Sequence, residues 1–280
     1  FLGCDGAELF YQCWLPRAPN HGVIVITHGM GEHSECYNLT AQDLNALGWT
    51  VYAWDLRGHG RSEGKRGVVR DFTDYSRDLN LFLELLQKKK DLKNYFLLSH
   101  SMGGLITLRY LLSDNLKTAA PPLALCLSAP LLGIAVEVPK IKEMAVDILL
   151  KVWPTLTLHN ELKYSDLTRD KSVLMQYEID ALRHDKISPI LYQGILQNLE
   201  YVRNHIAELR LPLLVQAGDG DRVVSLTAIR DGFQAAASEE KKLLIYPGSL
   251  HEIFNDLDRT VALQDLNSFL SADRSQHGTT

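Results

Sequence analysis

A chain of 280 residues can bury a large core, and one domain carrying an insertion is expected rather than two equal domains. An apolar fraction of 46%, a charged fraction of 22% and a net charge of −5 fit an ordinary globular protein with no basic footprint for nucleic acid. No run reaches the roughly 18 apolar residues of a membrane span, and Cys4, Cys13, Cys36 and Cys126 lack the spacing of a metal site or disulfide framework.

In chain order, short apolar runs alternate with longer amphipathic ones, the pattern of a mostly parallel sheet covered by helices. Phe1 is not an initiator, which leaves room for a segment upstream. Phe1-Leu2-Gly3-Cys4 carries a faint lipoprotein-cleavage pattern, but Asp5-Gly6 before Leu9-Phe10-Tyr11 reads better as a turn entering a strand. Residues 9–14 form an outer strand and 23–28 a buried one. A helix over 37–47 ends at Gly48, where glycine suits a left-handed C-terminal turn. A strand over 50–54, a loop rich in Gly and Arg, a helix over 73–90 and a strand over 95–98 follow. The next helix covers 102–112 and the next strand 123–127.

After Ala129-Pro130 the alternation stops, and 133–209 is expected to be wholly helical. The rhythm resumes with a strand over 212–217, a helix over 226–236, a strand over 242–246 and a helix over 261–270. The expected organisation is an α/β core in two parts, 1–132 and 210–270, interrupted by a helical cap over 133–209 and ended by a polar tail over 271–280.

The strand at 95–98 runs into Ser99-His100-Ser101-Met102-Gly103-Gly104, and a helix starts at once. A serine on a tight strand-to-helix turn stands clear of the sheet, and the small residues around it let the turn form, as in the α/β-hydrolase fold. Ser101 is the expected nucleophile. Ser99 stands where a glycine is usual, and its small side chain is expected to leave the turn intact. The earlier strand ends in His28-Gly29-Met30-Gly31-Glu32-His33, which assigns one oxyanion donor to the Met30 N–H and its partner to the Met102 N–H. Gly29 and Gly31 suit close approach of backbone to substrate. His28 and His33 are expected to be structural.

In this fold the acid and then the base follow the serine, each on a loop after a strand. The strand at 212–217 leads into Gly218-Asp219-Gly220-Asp221-Arg222-Val223-Val224. Asp221, followed closely by an apolar pair that can anchor it, is preferred over Asp219, whose glycine neighbours suit a turn residue. The strand at 242–246 leads to His251. Only His277, in the tail, is another histidine after the acid.

Together with Asp5-Gly6, Trp14 and Pro16, the segment 28–34, the run Asp55-Leu56-Arg57-Gly58-His59-Gly60-Arg61-Ser62, and the loops of Ser101, Asp221 and His251, the chain resembles the monoacylglycerol lipase and lysophospholipase branch of the α/β hydrolases. The resemblance implies hydrolysis of a single-chain lipid ester through an acyl-enzyme on the serine, with no metal or cofactor. It agrees with Asp221 as the acid, and makes the segment around His59 a structural loop. Ser99 departs from the branch's usual glycine, and the match weakens in the insert.

Within the insert, Lys140, Glu143, Asp147 and Lys151 fall on one helical face and Ile141, Met144, Ala145, Ile148 and Val152 opposite, widened by Leu149, Leu150 and Trp153. Ile148 and Val152 are candidate substrate contacts, and the helix is expected to line an acyl tunnel or rest on a membrane or micelle surface. Near-balanced charge in the insert favours neutral monoacylglycerols over lysophospholipids. The rival readings are a short-chain carboxylesterase or thioesterase and, in another class, a non-catalytic homologue binding a small ligand. A cytoplasmic or membrane-peripheral location is expected.

Overall fold

The computed structural model describes residues 1–17, 21–90, 92, 94–135 and 140–272. Its elements run β1 (Tyr11–Trp14), β2 (Val23–Thr27), α1 (Asn38–Ala46), β3 (Thr50–Trp54), α2 (Thr73–Lys90), β4 (Tyr95–His100), α3 (Met102–Leu111) and β5 (Ala124–Ser128). Next come α4 (Lys140–Val152), β6 (Leu158–His159), α5 (Lys171–Ile179), β7 (Lys186–Ile187), α6 (Pro189–His205), β8 (Leu213–Gly218), α7 (Leu226–Ala235), β9 (Lys241–Tyr246) and α8 (Arg259–Leu270).

Seven strands form one sheet in the order β1-β3-β2-β4-β5-β8-β9. Only β1 within it runs antiparallel to its neighbour. Strands β3, β4, β5 and β8 are buried along their whole length, as expected where helices cover both faces. The two-residue period of β2 divides the core. Val25 packs with Phe82 and Leu105 on the α2/α3 side, while Ile24 and Ile26 pack with Leu44 and Leu266 on the α1/α8 side.

The strand order reverses where β2 lies between β3 and β4. In open α/β sheets that reversal opens a crevice beyond the carboxyl ends of the strands, the usual place for a ligand. The loop of Gly29 leaves β2 there and Ser101 leaves β4 beside it.

The segment 133–209 differs from its expected all-helical form. Leu158↔Ile187 and His159↔Lys186 pair as a small antiparallel ladder, β6 with β7, too short to leave a periodic trace in the sequence. Helix α5 is N-capped by Asp170 and α6 by Ser188 ahead of Pro189. Moreover, α6 buries Leu191, Ile195 and Val202 in the same cluster as Leu97 of β4 and Leu105 of α3, so the last part of the segment packs as core. No helix among the described residues is long and apolar enough to cross a membrane.

Candidate active site

Ser101 sits between β4 and α3 with φ +50° and ψ −120°, a conformation an L-residue adopts only when its surroundings enforce it. The Ser101 N–H donates to the Ser128 carbonyl at 3.0 Å, and the Ser101 carbonyl accepts from Gly104 at 2.9 Å and Leu131 at 3.0 Å. Gly103 makes the elbow possible, because a Cβ there would lie 2.3 Å from the Thr27 carbonyl oxygen. The amides of Met102 and Gly103, the first two of α3, precede the first hydrogen bonds of the helix, which start at Gly104, and so leave donors at its N-terminus next to the serine.

His251 follows β9. Its Nε2 lies 2.9 Å from Ser101 Oγ and its Nδ1 lies 2.8 Å from Asp221 Oδ2. All three side chains are buried: Ser101 is 8% and His251 3% exposed, and the Asp221 side chain 2%. The other oxygen of Asp221 accepts the Val223 N–H at 2.7 Å and the Val224 N–H at 3.1 Å. Burial pushes the Asp221 carboxyl up, but the charge and hydrogen bond of His251 and these two amides outweigh it and hold it below the usual value. Burial likewise pushes the His251 imidazole down, and the Asp221 charge and hydrogen bond, with Glu252 and Glu32 behind them, bring it out above its ordinary value.

Asp219 is not gathered into this chain of hydrogen bonds. Its carboxylate accepts the Gly248 N–H at 2.5 Å, a turn contact that ties the loop after β8 to the loop after β9. Those loops touch closely: the Gly220 N–H donates to the Ser249 carbonyl at 3.0 Å, and a Cβ on Gly218 would lie 2.0 Å from the same oxygen.

On the other side of Ser101, Gly29 comes so near that a Cβ on it would lie 3.0 Å from the serine Cβ. Met30 is next in the chain and half-buried. Gly31 has a different role from the expected one: a Cβ there would meet the His184 carbonyl oxygen at 2.3 Å, so its close approach is to the insert. His28 braces the loop, with Nδ1 2.7 Å from the Gly29 carbonyl and Nε2 accepting the Leu56 N–H at 2.9 Å. Burial holds it neutral, lowering its imidazole to about 4. His33 pairs with Asp180 at 2.8 Å.

Ile148 and Val152 lie out on α4, 61% and 76% exposed, and no described contact joins them to Ser101. Met144 is 65% exposed on the same stripe, so this apolar face is turned outward. The side chains of Lys140, Ile141 and Glu143 lie outside the described residues. His33, Cys36 and Asp180 bring one possible metal-ligating atom each within 4.8 Å of one another, but the His33–Asp180 pair already satisfies two of them. An unrelated surface cleft of about 670 Å³, lined by Leu15, Gln42, Asn45 and Leu47, lies beside Gly48, at the amino-terminal approach to β3 and away from Ser101.

The sequence profile of the family described as serine aminopeptidase, S33, matches residues 18–258. A monoacylglycerol lipase of Mycolicibacterium smegmatis is 31% identical over 96% of this chain and 95% of its own length. This chain belongs to that hydrolase family, in its monoacylglycerol-lipase branch. A phospholipase of Bacillus subtilis is also 31% identical, over 88% of this chain and 94% of its own. Among solved structures, the monoacylglycerol lipase of Paleococcus ferrophilus superimposes with a TM-score of 0.83 at 28% identity, covering 94% of this chain and 98% of that one. In this family member, sequence reasoning missed three buried charged groups around the site: Glu32, Glu252 and Arg183. A Glu next to His251 and an Arg in a polar stretch carry no periodic signal, and only their burial marks them.

Proposed function

We propose that this carboxylic ester hydrolase cuts single-chain lipid esters, neutral monoacylglycerols first, through a Ser101–His251–Asp221 triad and an acyl-enzyme intermediate. The observation that carries the reading is the unbroken line Ser101 Oγ, His251 Nε2, His251 Nδ1, Asp221 Oδ2, with steps of 2.9 and 2.8 Å. With the Nδ1 proton donated to Asp221, Nε2 is free to accept the serine proton. Ser101 Oγ then adds to the ester carbonyl carbon while its proton passes to Nε2. The resulting oxyanion is held by the N–H groups of Met30 and Met102. The imidazolium gives its proton to the leaving glycerol oxygen as the C–O bond breaks, leaving the fatty acyl group on Oγ. Water repeats the sequence, with His251 again the base, and releases the fatty acid.

The upward shift of His251 fits this cycle, because Asp221, Glu252 and Glu32 favour the imidazolium formed at each addition step. The relatives supply the lipid: two carry the name monoacylglycerol lipase, and one is a phospholipase. The exposed apolar stripe of α4 supplies a surface on which an acyl chain or lipid aggregate can rest.

The test compares a monoacylglycerol with a lysophosphatidylcholine of the same acyl chain, using wild type beside Ser101→Ala. Faster turnover of the monoacylglycerol, lost in the variant, supports the reading. Preference for the phospholipid replaces the neutral substrate with a charged one, and no turnover of either moves the assignment to short-chain esters or thioesters.

A further inference from the structure

Three consecutive residues of the loop after β2 are each gripped by the insert loop between α5 and β7. The Gly31 carbonyl accepts the His184 N–H at 3.0 Å, Glu32 Oε2 lies 3.8 Å from Arg183 Nη2, and His33 Nε2 meets Asp180 Oδ2 at 2.8 Å. The two segments run antiparallel, with an ion pair at their centre.

Arg183 does more than face Glu32. Its guanidinium also reaches Glu252 Oε1, at 2.9 Å from Nη2 and 3.3 Å from Nη1, and stacks over the Tyr177 ring at 3.6 Å. Tyr177 donates to the other oxygen of Glu252, as does Asn255 at 2.9 Å. Glu252 is the residue after His251, and its own N–H donates to the Leu167 carbonyl of the insert at 2.8 Å. On the opposite side, Glu32 Oε1 accepts the Gly29 N–H at 2.5 Å and the Tyr37 hydroxyl at 2.9 Å. Glu32, Arg183 and Glu252 have side chains only 3–5% exposed.

The arginine fork is hydrogen-bonded on its Glu252 side, whereas among the described residues Arg183 Nε and Glu32 Oε2 have no hydrogen-bond partner. Burial together with the Glu252 charge pushes the Glu32 carboxyl up to about 7. A buried cluster of this kind fixes relative position more than it adds stability. Here the groups it fixes are the two loops that flank Ser101. One presents Met30 through Gly29, and the other presents His251.

We propose that Arg183, contributed by the insert, is a positioning residue that clamps the oxyanion-side loop and the base-bearing loop at fixed separation, so that the base of the insert is a working part of the active site. This rests on the triad reading above. It ties the stretch 180–184 of the insert to the loops that carry the site. Catalytic groups displaced by about an ångström lose roughly two orders of magnitude in rate, which sets the effect to look for.

The test uses the full chain with Arg183→Met and Arg183→Lys. Wild type is first treated with a fluorophosphonate, which reports on Ser101 alone. The variants are then measured for kcat and KM on 4-nitrophenyl butyrate and for amide hydrogen exchange over 28–33 and 250–255. Arg183→Met is expected to lower kcat by roughly tenfold to a hundredfold with KM within about threefold, and to speed exchange at the Gly29 and Glu252 amides. Arg183→Lys, which keeps the charge without the fork, falls between. Should Arg183→Met fail to fold, Asp180→Ala carries the test, because that side chain is 27% exposed and lies outside the Arg183–Glu252 contact, its loss removing the partner of His33 Nε2. Its expected effect is a severalfold fall in kcat, with faster exchange confined to 28–34. A folded variant with kcat within twofold and unchanged exchange overturns the clamp. If wild type takes no fluorophosphonate, the triad reading falls, while the exchange measurement still decides the clamp.

Discussion

The hydroxyl of Ser99 lies 2.7 Å from that of Thr107, and both side chains are completely buried. The residue that replaces the usual glycine at the entry to the elbow is therefore tied to the helix that follows Ser101. Ser99→Gly leaves the Thr107 hydroxyl without its partner, which costs about 1–3 kcal/mol. The thermal midpoint should fall by roughly 2–8 °C, while kcat stays within a few-fold because the strained residue is Ser101 and its backbone contacts are untouched. Thermal unfolding beside ester turnover checks this. A complete loss of activity in a folded variant would show that the Ser99–Thr107 bond holds the elbow itself.

The contrast between Ser99 and Arg183 shows what the sequence could carry. A nucleophile elbow needs small residues, a strand before it and a helix after it, so the region of Ser101 can be read from residue types. The same holds for Asp221 and His251, which stand after two apolar runs that become the adjacent strands β8 and β9. The structure brings these three together. The clamp was illegible because Glu32 and Arg183 meet only through the fold, and a polar residue in a loop looks alike whether it is buried or wet. The ladder of β6 and β7 failed for another reason: two residues hold no period. The outward face of α4 follows the expected helical stripe, but which side meets solvent depends on what α4 packs against.

Asp221 and Asp219 make a paired test of the acid. Asp221→Asn keeps an oxygen for the Val223 and Val224 amides but offers an NH₂ group to His251 Nδ1, which favours the wrong tautomer. Turnover should drop by about 10³- to 10⁴-fold with little change in stability. Asp219→Asn should leave turnover within a few-fold, since among the described residues its carboxylate serves the Gly248 turn contact and none of the triad. Similar losses in both would remove Asp221 from its special role.

Acid should unfold the protein early. His28, His59 and His100 are 0–5% exposed. Burial lowers all three, His28 to about 4, His100 to about 3 and His59 well below its ordinary value. In the folded chain they stay neutral where the unfolded chain already binds protons, so stability falls as pH drops from about 6.5 towards the folded values. His184, lowered to about 4, adds a fourth such group. His251, shifted upward, and Glu32, pushed up to about 7, oppose them. The net of roughly two groups gives a slope of about 3 kcal/mol per pH unit. Urea unfolding at pH 7, 6 and 5 should show midpoints nearly constant above pH 6.5 and falling steeply below 6. A flat response would mean that these imidazoles are protonated in the folded state.

Ile148 decides whether the stripe on α4 serves the substrate or the fold. At 61% exposure, with Met144 and Val152 flanking it one turn away on either side, it contributes little to packing. Ile148→Asp should therefore leave the thermal midpoint unchanged within about 1–2 °C. Losing the burial of one such side chain against an acyl chain is worth about 1.5–3 kcal/mol, roughly a tenfold to hundredfold fall in kcat/KM for long-chain esters. Butyrate esters, with the least acyl surface to lay against the stripe, should be cut at nearly the wild-type rate. The measurement is a chain-length series from butyrate to palmitate for the two proteins. A loss that grows with chain length assigns the stripe to lipid contact. An equal loss on every ester, accompanied by a lower midpoint, would assign it to packing.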